Sequence, residues 1–200
     1  MDQTRIAPTT ELITFGQEEI INQHEWLDYL SAYDNGHYFE YPVNLNDVLK
    51  LMAIGIHHGS ALRAKVNILS STFVETPLLK RAEFKKFAHN YVVTGNGYLE
   101  IRHNVLQQPL TIVNRLSLYM RRHSNLNDFV YLRQNHSEHE TLVGQNVIHV
   151  MEDDLSQEVY GVPSYLAAMH SIQLNHSATL FRRRYYDNGS HAGFILYANG

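Results

Sequence analysis

The stretch Tyr160-Gly161-Val162-Pro163, followed by a helical run to Phe181-Arg182-Arg183-Arg184-Tyr185-Tyr186 and then by Asp187-Asn188-Gly189-Ser190-His191-Ala192-Gly193-Phe194-Ile195, decides the reading of the chain. Gly161 supplies a turn. Pro163 suits a first helical turn, where its missing N–H would be unsatisfied anyway. Tyr165, Leu166, Met169 and Ile172 are spaced three and four apart and share a helix face. No proline or glycine falls between Ser164 and Asp187, so the spacing predicts a helix to about that point. Leu180 and Phe181 resume the apolar face after a polar middle. Asp187-Asn188-Gly189 is a stop signal, with Gly189 able to take the left-handed conformation. Phe194 to Tyr197 reads as a short strand.

Working back from there, Val147 to Val150, Phe129 to Arg133 and Leu110 to Leu116 are short apolar runs separated by Asn, Gln and Gly. Leu118 to Arg122 is a further strand candidate. Thr94-Gly95-Asn96-Gly97 reads as a turn, and Tyr98 to Ile101 as the strand behind it. Upstream, Leu45, Val48, Leu49, Met52 and Ile56 follow helical spacing, with Asn44 as N-cap, Asp47 in the first turn, His57 and His58 in the last turn and Gly59 as the end. Ser60 is read as the cap of a short helix through Val66. Ile68 to Thr76 is read as extended, and Pro77 as the start of a helix carrying Phe84, Phe87, Ala88 and Tyr91 on one face. Glu18 to Tyr33 is moderately helical, with Ile20, Ile21, Trp26, Leu27 and Leu30 on an imperfect face. Asp34-Asn35-Gly36 ends it as a turn, and Tyr38 to Pro42 is extended. Residues 1–15 read as a flexible arm, and 16–200 as one unit: helical over 18–93, strand-rich over 97–150, helix and strand over 163–197. The class is α+β, with an antiparallel β region between helical parts.

Composition narrows function. The chain has 200 residues, a net charge of −4, thirteen Tyr, eight Phe and no cysteine. Low charge and many aromatics argue against disorder. Without cysteine there is neither a disulfide framework nor a Cys-ligated zinc. A protein that grips DNA phosphates should be basic, and this one is mildly acidic, which counts against a tight DNA binder. No apolar leader and no run of about 20 apolar residues is present, so no membrane partner is expected. A soluble chain, cytosolic when made, is the expectation, and the Asn-x-Ser sequons at Asn135, Asn175 and Asn188 are expected to have no role there.

Catalytic motifs are sparse. Gly95-x-Gly97 lacks a third glycine, which Glu100 replaces, and it follows a helix and precedes a strand, the wrong order for a dinucleotide site. There is no phosphate-binding Gly-x-x-x-x-Gly-Lys loop and no Gly-x-Ser-x-Gly elbow. His136-Ser137-Glu138-His139-Glu140 has metal-ligating residue types in a polar loop. Glu152, Asp153, Asp154 and Glu158 are carboxylates of the kind that hold Mg²⁺ in a nuclease, but they also lie where a helix N-terminus favours acids. No metal site, cofactor or catalytic residue is assigned. Arg182, Arg183 and Arg184 with Tyr185 and Tyr186 suit either phosphate and base contact or ion pairs between subunits. Successive helix residues turn by about 100°, so at most two of the three arginines address one partner.

Tyr160-Gly161-x-Pro163, the helix, its aromatic and basic end, and Asn188-Gly189-Ser190-His191-Ala192-Gly193 before an apolar strand resemble the middle of a tailed-bacteriophage portal protein of the PBSX type. Gly95-Asn96-Gly97-Tyr98-Leu99-Glu100 and Val147-Ile148-His149-Val150 before an acidic loop are similar to that family as well. The resemblance implies a non-enzymatic, wing-like structural subunit. Such subunits form a ring, usually of twelve copies, at one capsid vertex, through which double-stranded DNA enters and leaves without being tightly held. Implied partners are further copies of the chain, the terminase, and capsid and scaffold proteins. The implied location is the virion, with assembly in the host cytoplasm. The implied motif residues are Tyr160, Gly161, Pro163, Asn188, Gly189, Ser190, His191 and Gly193, with Arg182 to Tyr186 at a subunit interface or the DNA channel. The family continues beyond the strand where this sequence reaches Gly200, so the resemblance implies a partial chain. The alternatives are a metal-dependent nucleic-acid phosphodiesterase using His136, His139 or the carboxylates at 152–154, and a truncated prophage remnant acting only as an interaction module.

Overall fold

The computed structural model describes residues 32–55, 57–132, 139–155 and 157–187. The 1–15 arm, most of the helix expected from Glu18, the Asn188 to Gly193 motif residues and the final strand lie outside the described residues. So do His136 and Glu138.

The chain begins with a hairpin, β1 (Tyr33–Asp34) and β2 (Tyr38–Glu40). Asp34 and Asn35 hold its turn with side-chain oxygens accepting from Gly36, His37 and Tyr38 N–H groups. Tyr33 is thus strand and not the end of a helix. Three helices follow: α1 (Leu45–Ile54), α2 (His58–Thr72) and α3 (Arg81–Thr94). Asn44 caps α1, its Oδ1 accepting from Asn46 N–H at 3.0 Å. Six strands complete the β portion: β3 (Asn96–His103), β4 (Pro109–Arg115), β5 (Met120–His123), β6 (Phe129–Leu132), β7 (His139–Leu142) and β8 (Val147–Met151). After a 3₁₀ turn at Leu166–Ala168 comes α4 (Met169–Asp187).

The strands form two antiparallel sheets, ordered β1-β2-β5-β6-β7 and β4-β3-β8. The class is therefore α+β, as the sequence predicts. Between the sheets lies one core cluster: Tyr98, Met120, Phe129, Leu142 and Val147. A second cluster, Val48, Leu62 and Val93, joins the three helices, with Tyr165 packed against it. Helix α3 leans on β3, where Gly97 admits the Phe87 ring; an added Cβ there would sit 2.4 Å from Phe87 Cε2.

Beyond Tyr33, the helix boundaries differ from the sequence reading in four further places. First, α1 ends at Ile54 with Gly55 as its cap, and Gly59 is buried inside the first turn of α2. A Cβ on Gly59 would meet the Met52 carbonyl at 2.7 Å, so this glycine serves close helix packing and not a stop. Second, α2 starts at His58 rather than Ser60 and runs through Ile68 to Thr72. Its β-branched residues are held helical because Val66 and Leu62 are buried, so packing overrides weak propensity. Third, Pro77 lies in a bend before α3, which begins at Arg81 with its N–H bonded to Glu75 Oε1. Fourth, Pro163 is not in the first turn of α4. It is buried in the connection, and its carbonyl accepts from Leu166 N–H to start the 3₁₀ turn.

Candidate functional site: a buried lock and an exposed helix

Tyr160, Gly161, Val162 and Pro163 are all buried. They enter the seam between α3, β3 and the five-stranded sheet. Gly95 ends α3 in the left-handed conformation, φ +72°, and its absent side chain leaves room for Val162, whose carbonyl carbon would lie 2.6 Å from a Cβ. Gly161 is equally confined: a Cβ there would be 2.2 Å from the Gly95 carbonyl oxygen. Both glycines are needed because two backbones touch at this point.

Asn96 makes that contact specific. It is fully buried. Its Oδ1 accepts from Gly161 N–H at 2.8 Å, and its Nδ2 donates to the Gly161 carbonyl at 2.7 Å and the Thr94 carbonyl at 3.0 Å. The side-chain amide thus pairs with the peptide groups of Gly161 much as a strand would. His149 Nε2 lies 3.1 Å from the same Oδ1. That oxygen only accepts, so His149 carries its proton on Nε2. The imidazole stacks on Tyr98 with centroids 4.3 Å apart. Burial, with Arg122 nearby, lowers its pKa to about 4, so it is neutral at physiological pH. Ser117 Oγ donates to the Asn96 carbonyl at 2.6 Å, and Glu152 N–H to the Gly95 carbonyl at 2.8 Å.

Tyr160 extends the lock into the larger sheet. Phe39 and Arg122 face each other across β2 and β5. The Tyr160 hydroxyl accepts from Arg122 N–H at 2.8 Å and donates to the Phe39 carbonyl at 2.5 Å. Its ring packs on Tyr41 at 4.0 Å, and the Tyr41 and Tyr98 hydroxyls are 2.9 Å apart. Burial raises the pKa of all three phenols, so they remain protonated donors. Tyr165 adds one more tie, donating to the Val93 carbonyl at 2.5 Å. The motif Tyr160-Gly161-x-Pro163 is therefore a structural lock. Asn96, Tyr41 and His149 are its partners that sequence reading missed. The sequence signal for Asn96 is its place between two glycines in the family-like stretch Gly95 to Glu100, which equally describes a plain turn.

Beyond the lock, α4 leaves the body. Tyr165, Leu166, Met169 and Ile172 are half-buried, as their spacing predicts, and His176 continues that face. The distal half is exposed. Phe181 is 71% exposed and Tyr186 73%, so Phe181 does not resume the packed face. Arg182, Arg183 and Arg184 are all exposed, and Arg183 Nε lies 3.6 Å from Asp187 one turn on.

The carboxylates at 152–158 do not converge. The Glu152 side chain is hydrogen-bonded to Tyr91, raising that phenol's pKa to about 12. Among the described residues no three His, Cys, Asp or Glu side chains come together as a metal site. His139 begins β7, with its ring edge-on to Tyr38 at 6.0 Å. Among the described residues no helix is long and apolar enough to cross a membrane.

No family model matches the chain. In fold it is similar to chains from gene transfer agent particles. One, from the neck of an empty particle computed with C6 symmetry, superposes with a TM-score of 0.60 at 14% identity, covering 73% of this chain and 47% of that one. Another, from the neck of a native particle computed with C12 symmetry, gives 0.59 at 14% identity, covering 73% and 46%. In sequence the chain is 36% identical over 195 residues to the probable portal protein of Escherichia phage P2, covering 97% of this chain. It is 34% identical over 202 residues to the probable portal protein of Haemophilus phage HP1, covering 96%. Over nearly its whole length, then, the chain is similar in sequence to phage proteins named probable portal protein, and it spans 56% and 57% of the lengths of these two relatives.

Proposed function

We propose that this chain is a phage portal subunit of the PBSX type: a structural, non-catalytic protein that forms a ring with copies of itself at the capsid vertex. The observation that carries this reading is 36% identity to a probable portal protein across 97% of the chain. The fold likeness to chains from particle necks supports it. In this reading double-stranded DNA passes through the ring during packaging and ejection without tight binding, in keeping with the net charge of −4. The terminase, capsid and scaffold proteins dock on the ring. The segment 1–15 acts as an arm, and 16–200 acts as one structural unit of the subunit. Arg182 to Tyr186 lie at a contact surface of the assembly.

The test is the native mass of the 200-residue chain, beside a version extended through any downstream reading frame. A large closed ring from either supports the reading. A ring from the long version alone places the ring contacts after Gly200. Monomers from both overturn it.

A further inference from the structure

The distal half of α4 carries a second apolar stripe that does not face the body. Leu174, Ala178, Phe181 and Tyr185 follow one another at four, three and four residues. At about 100° per residue they fall within about 60° of arc, roughly opposite Ile172 and Met169. Leu174 is 72% exposed, Phe181 71% and Tyr185 49%. Arg182 and Arg184 sit about 80° to either side of the stripe, while Arg183 points to the opposite side, where it meets Asp187. An apolar seam with a charge on each flank is the pattern of a helix that packs against another helix.

The flanking charge selects the occupant. Duplex DNA would meet Phe181 and Tyr185 first, with Arg182 and Arg184 about 160° apart around the axis, which is a poor phosphate grip. A second copy of α4 would set arginine against arginine. The chain itself holds a better match. Between Arg5 and Lys50 there is no Lys or Arg. Within that acidic run, Glu18 to Leu30 combines Glu18, Glu19, Glu25 and Asp28 with Ile20, Trp26, Leu27 and Leu30. Read as a helix, Ile20, Leu27 and Leu30 share one side, with Glu19 on one flank and Asp28 on the other.

We propose that the acidic segment Glu18–Leu30 docks on the outer stripe of α4, with its apolar side on Leu174, Phe181 and Tyr185 and its flanking acids Glu19 and Asp28 against Arg182 and Arg184. This goes beyond the portal reading and does not need it.

Since the chain has no cysteine, engineered pairs test it directly in the full-length protein. Leu27→Cys is combined with Phe181→Cys, with Leu174→Cys, or with the exposed control Ile68→Cys on α2, under mild oxidation. The expected result is disulfide formation with both α4 positions and little with Ile68. Glu19→Arg with Asp28→Arg lowers the α4 yield about tenfold, and adding Arg182→Glu with Arg184→Glu recovers it. A cross-link within one chain and one between two chains both support the docking, and they say whether the segment comes from the same copy or a neighbour. Equal yields at α4 and Ile68, or indifference to the charge reversals, overturn it. Absence of the cross-link together with short-duplex binding that Arg182→Glu and Arg184→Glu abolish assigns the stripe to nucleic acid instead. None of these outcomes depends on ring formation.

Discussion

Residues 160–163 and the distal half of α4 lie about twenty positions apart in one continuous stretch, yet they obey opposite rules. In the first region every residue is buried, and the polar groups of Tyr160 and Gly161 are paired with Phe39, Asn96 and Arg122. In the second, Phe181 and Tyr186 stand in solvent beside three exposed arginines. A buried polar group left unpaired costs about 1–3 kcal/mol, whereas an exposed side chain contributes little to folding. The first region therefore holds the fold together, and the second is free to serve an encounter. Motif likeness alone ranks the two regions equally, and the burial pattern separates them.

That division predicts a graded series of effects. Gly161→Ala should be the most damaging single change, because its Cβ would lie 2.2 Å from the Gly95 carbonyl and 2.5 Å from Glu152 N. A loss of about 3 kcal/mol or more in urea unfolding is expected. If the variant is stable, the two backbones do not meet as described. Asn96→Leu, which orphans both Gly161 groups, should cost a similar amount.

The pH response comes next. The pKa of His149 is lowered from 6.5 to about 4 in the folded chain, so between those values the unfolded chain binds the additional proton. Stability from this residue is therefore complete above about pH 6.5 and is lost as pH falls towards 4, by about 3 kcal/mol in total. Comparing the unfolding free energy of wild type and His149→Gln from pH 7 to pH 4 isolates this contribution, since the Gln amide still donates to Asn96. The wild type should have the steeper loss, and parallel curves would mean that His149 is not buried neutral.

Tyr160→Phe keeps the ring on Tyr41 but leaves Arg122 N–H and the Phe39 carbonyl without their shared hydroxyl. A cost of about 2 kcal/mol is expected, read from the urea midpoint at unchanged slope. At the small end, Phe181→Ala and Arg182→Glu should shift stability by about 0.5 kcal/mol or less, while changing what the protein associates with by native mass or cross-linking. A large destabilisation from either would dissolve the contrast and make distal α4 part of the folded core.

Much of the architecture was legible in the sequence because it rests on local periodicity. The spacing of Leu45, Val48 and Met52, the short runs from Leu110 to Val150, and the uninterrupted stretch from Ser164 to Asp187 report the type of element, although α4 holds no buried residue. Helix ends were less legible. Gly59 looks like a stop but is packed against Met52, a contact set by where α1 lies on α2. Ile68 to Thr72 looks extended because β-branched and polar residues dominate it, yet burial of Val66 and Leu62 carries the helix through.

By itself the sequence determined the α+β class, the lack of any cysteine chemistry, the acidic balance and the family likeness, since all of these depend on composition and order alone. Only the tertiary structure decided what the Tyr160-Gly161-x-Pro163 stretch does in this chain. It places Asn96 against Gly161 across 65 positions and Tyr160 between Phe39 and Arg122. Those pairings join residues far apart in the chain, and no local pattern encodes them. It also turned Phe181 and Tyr185 outward, because the face of α4 that meets the body is already filled by Met169 and Ile172.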